Sequence, residues 1–265
     1  MTDSPFTTLR VSADGAVGHL VLDRPERLNA LSRTTLAELA GAAAWFDERR
    51  EVKAVVVRGE GRAFSAGFDL DDFRSRPADG TPDDGAELGR EMADAVTGMR
   101  AVTVAAIHGH CVGGGLVLAG SCDLRIAARG ARFSIPEVDL GIPLAWGGIP
   151  RLVRELGPAI TKELVLTCRP FGADEAAALR FVNRVVDDDA VVAAAEELAA
   201  ELATKSAFTL TSTKRHVNAV AEESGSTAQS FRDAEILAAA LRDPESRAAG
   251  AAYLERRTRR GETRR

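Results

Sequence analysis

Residues 109–127 read GHCVGGGLVLAGSCDLRIA, where three consecutive glycines, Gly113 to Gly115, run into an apolar stretch with no acid before Asp123. A glycine triplet can supply backbone dihedrals closed to other residues, let a ligand approach the main chain, or present bare N–H groups at a helix start. Gly115 is not followed by the Gly-Lys-Ser/Thr of a phosphate-binding loop, and no Gly-x-Gly-x-x-Gly frame runs through it, so the nucleotide-loop readings fail. A structural turn and a backbone site for a negatively charged group remain.

Apolar runs at Val17 to Leu22, Val52 to Val57, Val102 to Ile107 and Leu124 to Ala127 read as strands separated by helical or glycine-rich segments. That order predicts parallel β/α architecture. Amphipathic spacing predicts helices from about Arg33 to Arg50 and Glu87 to Met99, with the polar stretch between Arg74 and Glu87 as a mobile loop. After Pro158 the pattern turns helical, and the last sixty residues read as a helical appendage. A second glycine turn, GRAFSAGFDL at 61–70, follows the strongest strand, so two strand-to-loop turns can face one ligand.

The chain has 265 residues, 45% hydrophobic and 28% charged, which is ordinary globular composition without a fixed-period repeat or a long linker. No apolar run approaches the roughly 18 to 20 residues of a membrane span, and MTDSPFTTLR lacks the regions of a signal peptide; a cytoplasmic protein is expected. Cys111, Cys122 and Cys168 are odd in number and widely spaced, which suits neither disulfides nor zinc. The four histidines show no ligand spacing, so no metal is expected. A net charge of −5 provides no field for nucleic acid. The basic tail ERRTRRGETRR reads either as a solvated helix end or as a contact for a phosphate-bearing ligand.

Four segments taken together, RPERLNAL (24–31), AFSAGFDL (63–70), GHCVGGGLVLAGSCDLRIA (109–127) and FSIPEVDLGI (133–142), resemble the enoyl-CoA hydratase/isomerase, or crotonase, superfamily in order and separation. The resemblance implies an α/β fold: a spiral of ββα units over residues 1–200, then a helical region, 201–265, that packs subunits into a homotrimer or a dimer of trimers. It also implies an acyl-CoA substrate and no separate cofactor, coenzyme A being part of the substrate. The amides of Phe68 and Gly114 would form the oxyanion hole for the thioester oxygen. Removing a proton α to a thioester puts negative charge on that oxygen, and each fixed N–H aimed there contributes about 3 to 4 kcal/mol. Gly114 gains further from the positive end of the helix it opens.

Hydratases of this family carry one glutamate three residues after the middle glycine and a second twenty residues beyond. Here those positions hold Val117 and Glu137, and the position eight further, an aspartate in some isomerases, holds Ala145. The first acid is lost at Val117. Hydration uses two carboxylates around one water, whereas moving a double bond from the 3,4 to the 2,3 position needs a single base. Glu137 is therefore expected to act alone, among Ile135, Val117 and Trp146, with a pKa raised toward neutrality by burial, in a 3-enoyl-CoA to 2-enoyl-CoA isomerase. Two rivals stay open: a hydratase, or other crotonase chemistry such as thioester hydrolysis, with a non-standard second acid such as Asp71, Glu87 or Glu91, or a non-catalytic acyl-CoA binder. No Gly-x-Ser-x-Gly elbow supports a serine hydrolase.

The family register also implies CoA contacts at Arg27, Leu28, Ala66, Tyr253 and Arg256, and an acyl-pocket wall at Trp146. Arg27 reads equally as a solvated side chain, and Trp146 as core. Asp69 is expected to fix its own loop through backbone hydrogen bonds.

Overall fold

Val55 to Val57 and Val102 to Ile107 are apolar at every residue except Thr103 and buried throughout, the pattern of strands covered on both faces, and they lie side by side in the middle of a six-stranded sheet. The structure, a computed structural model, describes residues 5–75 and 84–262. In chain order the first half comprises β1 (Leu9–Asp14), β2 (Val17–Leu22), a 3-10 turn (Pro25–Arg27), α1 (Arg33–Glu48), β3 (Ala54–Gly59), α2 (Leu70–Arg74), α3 (Asp84–Gly98), β4 (Val102–Ile107), β5 (His110–Val112) and α4 (Gly114–Ser121). The second half comprises β6 (Leu124–Ala128), β7 (Arg132–Ser134), α5 (Gly148–Thr167), β8 (Phe171–Gly172), α6 (Ala173–Ala178), β9 (Arg184–Val186), α7 (Val191–Ala203), α8 (Ala207–Ser224), a 3-10 turn (Thr227–Arg232), α9 (Asp233–Arg242) and α10 (Pro244–Glu262).

The main sheet runs β1-β2-β3-β4-β6-β9, parallel except for the β1–β2 hairpin. A smaller sheet, β5-β7-β8, stands beside it. The larger apolar core lies between the main sheet and helices α1, α3, α4 and α5, and a second layer packs α7 on the opposite face. α1 buries Leu36, Leu39, Ala43 and Phe46, one stripe at helical spacing, and Ser32 caps it by accepting the Thr35 amide. α4 is apolar all round and buried on nearly all its residues, as an internal helix must be.

Three expectations shift. β1 was not anticipated: its alternation is confined to its first three residues, and it pairs antiparallel at the sheet edge. α3 begins at Asp84, not Glu87, and residues 76–83 of the expected loop lie outside the described residues. α5 begins at Gly148, well before Pro158, and consists of two helical segments that meet at Gly157, whose φ of 75° and ψ of 164° are not helical, with Pro158 opening the second. From Ala207 onward the chain is helical.

Candidate active site

The 64–69 loop is stitched on both sides into the main chain. Phe64 and Ser65 donate to the carbonyls of His108 and His110, Val112 donates back to Ser65, and on the other flank Ala66 donates to Leu28 and Leu31 to Gly67. Ser65 Oγ closes the turn by accepting the Gly67 amide at 3.2 Å. Gly67 needs its φ of +85° here, and a Cβ on it would stand 2.6 Å from the Val112 oxygen and 3.4 Å from the Gly114 nitrogen. The two glycine turns therefore touch.

Asp69 caps α2 through the Asp71 amide at 3.0 Å and pairs with Arg24 at 2.9 Å, the loop-fixing part expected of it. The amides of Phe68 and Gly114 donate to no group among the described residues. For Gly114 this follows from its place in the first turn of α4, where amides have no intrahelical partner.

Glu137 arrives from the loop after β7, which the Gly113 amide ties to the helix start by donating to the Ser134 carbonyl at 2.9 Å. A Cβ on Gly113, itself at φ +51°, would lie 2.3 Å from Glu137 Oε1, so a side chain there would push the carboxylate from its place at the mouth of α4. The residue is half-buried, yet its Oε2 is buried with no hydrogen-bond partner. Burial pushes the carboxyl up to about 7, its own amide opposing the shift. Phe68, Gly114 and Glu137 line one cavity of about 60 Å³ together with Phe73, Ile142, Leu144 and Trp146.

Val117 and Ile135 are buried in the core and line neither this cavity nor the cleft outside it, contrary to the surroundings expected for Glu137. Val117 packs under Gly148, whose added Cβ would meet Val117 Cγ2 at 2.9 Å. Asp71 pairs with Arg27 at 2.5 Å and Glu87 pairs with Arg90; both are exposed, as is Glu91. None of the three lines the cavity with Glu137, although Asp71 lines the cleft outside it, which Glu137 also borders.

A wider cleft of about 370 Å³ leads in from outside, lined by Arg27, Leu28, Ala66, Gly67, Phe68, Gly113, Glu137 and Tyr253. Arg257, not Arg256, reaches this cleft, donating to the Tyr253 hydroxyl at 3.2 Å, while the Arg256 guanidinium stands 6.0 Å from the Tyr253 ring. Arg62 and Arg74 also line it. Sequence reading passed over both: Arg74 was assigned to the polar loop, and only the turn of α2 sets it 3.4 Å from Asp71 at the cleft. His108 Nε2 bonds the Gly61 carbonyl and His110 is exposed at the start of β5; neither lines the cavity or the cleft. Among the described residues no three His, Cys, Asp or Glu side chains gather as a metal site.

Two unpaired amides and one buried carboxylate around a single cavity are suited to holding an oxyanion while a proton moves on the neighbouring carbon. Comparison with known proteins agrees in kind. The family model described as enoyl-CoA hydratase/isomerase matches residues 12–262. A probable enoyl-CoA hydratase of Mycobacterium bovis is 36% identical over 221 residues, covering 83% of this chain and 84% of the relative. The mitochondrial Delta(3,5)-Delta(2,4)-dienoyl-CoA isomerase of Homo sapiens is 34% identical over 242 residues, covering 86% and 73%. A crystal structure of an enoyl-CoA hydratase/isomerase from Pseudoalteromonas atlantica superposes with a TM-score of 0.84 at 30% identity, over 94% of this chain and 98% of that one. With its two glycine turns, its fold and nearly its whole length matched in this way, the chain belongs to the enoyl-CoA hydratase/isomerase family, the crotonase superfamily of enzymes that act on acyl-CoA.

Proposed function

We propose that the protein is a 3-enoyl-CoA to 2-enoyl-CoA isomerase working with one carboxylate. The observation that carries this reading is the 60 Å³ cavity in which Glu137 is the only acid among the described residues, with Phe68 and Gly114, whose amides donate to no described group, in the same lining. The thioester oxygen accepts from those two amides; Glu137 takes a proton from the α carbon, the dienolate charge rests on the oxygen, and Glu137 returns the proton to the γ carbon. A carboxyl balanced near pH 7 both accepts and gives back that proton without a large free-energy step. Hydration would require a second acid or base on the same water, and the position of the family's first glutamate holds Val117, facing the core.

In this reading the cleft holds the CoA moiety: Leu28 and Ala66 along its lining, Arg27 with Tyr253 and Arg257 of α10 near its phosphates, and Trp146 at the wall of the acyl pocket. No cofactor besides the CoA of the substrate is required. A homotrimer or dimer of trimers, and a cytoplasmic location, belong to the same proposal. No helix among the described residues is long and apolar enough to cross a membrane.

The test offers purified protein a 3-enoyl-CoA and, separately, a 2-enoyl-CoA, following the absorbance of the conjugated thioester. Conjugation of the 3-enoyl substrate, falling at least about a hundredfold in Glu137→Gln, is the expected result. Consumption of the 2-enoyl substrate alone would replace isomerisation with hydration, and CoA binding without turnover of either would leave a binder.

A further inference from the structure

The acyl cavity ends on a strained tryptophan. Trp146 has φ +62°, a left-handed conformation that a bulky side chain adopts only where its surroundings impose it, and Gly147 follows at φ +64°. Both are held from outside. The Gly147 amide donates to Asp233 of α9 at 2.9 Å, while Arg151 of α5 donates through Nη1 to the Gly147 and Trp146 carbonyls at 3.1 and 3.4 Å.

The backbone held in this way drives the indole into a slot made by two glycines. A Cβ on Gly89 of α3, or on Gly114 of α4, would stand 2.2 Å from the ring, and Phe68 meets it edge-on at 5.7 Å. Trp146 is 7% exposed. The space it leaves beside Glu137 is about 60 Å³, lined also by Phe73, Ala86, Leu144 and Leu237, against about 370 Å³ in the cleft outside. Among the described residues, every side chain lining it apart from Glu137 is apolar.

Backbone strain persists where the rest of the fold maintains it, and it gathers at ligand clamps. We propose that Trp146 sets the acyl chain length: seated between Gly89 and Gly114, it narrows the cavity so that the site takes short apolar acyl groups and excludes long straight chains. This rests on the reading that the cavity holds the acyl group of an acyl-CoA.

Saturated acyl-CoAs bind without turnover, so calorimetric titration of the full chain with butyryl-CoA, decanoyl-CoA and free CoA tests the proposal independently of catalysis. Wild type is expected to bind butyryl-CoA at least about tenfold more tightly than decanoyl-CoA, since even one surplus methylene in a closed apolar pocket costs that much. Trp146→Ala should abolish or reverse the preference, Trp146→Phe should fall between, and the affinity for free CoA should stay the same in all three. If the alanine variant does not fold, the phenylalanine variant carries the comparison. Equal wild-type affinities for the two acyl-CoAs, or a preference unchanged in the folded variants, would overturn the assignment of Trp146. Wild type that binds neither acyl-CoA would overturn the acyl-CoA reading beneath it as well.

Discussion

Glu137 carries a stability cost that follows from its place. Its carboxyl releases a proton near pH 4.5 in the unfolded chain and is pushed up to about 7 in the folded one, so between those values the native state binds more protons. Stability therefore falls as pH rises from about 4.5 to about 7, by up to about 3 kcal/mol when the shift is taken in full. Glu137→Gln removes the charge and keeps the shape. The variant is expected to melt at a higher temperature than wild type at pH 8 and at nearly the same temperature at pH 4.5; a pH-independent difference would show that Oε2 finds a partner or water in solution. The same titration predicts that kcat/KM for proton abstraction climbs as pH passes through about 7, where the base form accumulates.

Among the helices, α4 and α8 do different work. α4 owes its place to burial on every side, and its first turn, with Gly113 at φ +51° and Gly114 against Trp146, leaves no room for side chains where the reaction is proposed to occur. α8 has little apolar area against the sheet and is instead pinned by Lys214, 8% exposed, which donates to the Ala101 carbonyl at 2.9 Å and pairs with Asp123 at 2.7 Å. Asp123 in turn accepts from the amide and hydroxyl of Thr103 on β4. Removing one member of a buried pair leaves the other charged and uncompensated. Lys214→Ala is expected to lower stability by about 3 kcal/mol in urea unfolding. A loss below about 0.5 kcal/mol, the range of ordinary surface changes, would mean the pair is solvated.

Over the whole molecule, the proposed site is assembled from segments far apart in the chain: the 64–69 loop, the start of α4, the loop after β7, and α9 and α10 from the helical end. Gly141 and Gly250 let α10 lie directly on the loop that follows Glu137, since a Cβ on either would collide with Ser246 or Leu140 main-chain oxygen. Tyr253 thereby lines the cleft of its own chain. The outward faces remain apolar in places: Phe208 is 82% exposed, Leu166 64%, Val217 60% and Ile236 50%. Exposed apolar side chains on this scale mark a contact with another protein when they gather in patches. Light scattering on a sizing column is expected to return three or six times the mass of one chain, and a single-chain mass would refute the proposed trimer.

Sequence alone determined what depends on local spacing and burial pattern. The apolar runs read as strands, the triplet at 113–115 left a turn or a helix start with bare amides, and the register of four segments pointed to the superfamily and set Glu137 against an apolar Val117. Tertiary packing decided which groups reach the reaction space. That Arg62, Arg74 and Arg257 line the cleft while Arg256 does not depends on the turn of α2 and the seating of α10. That Trp146 is forced left-handed into a glycine slot depends on Asp233, nearly ninety residues later, and on Gly89, more than fifty earlier. Covalent geometry repeats every few residues and can be read along a chain. The direction in which a side chain points into a cavity is set by elements that meet only after folding, and no local period encodes it.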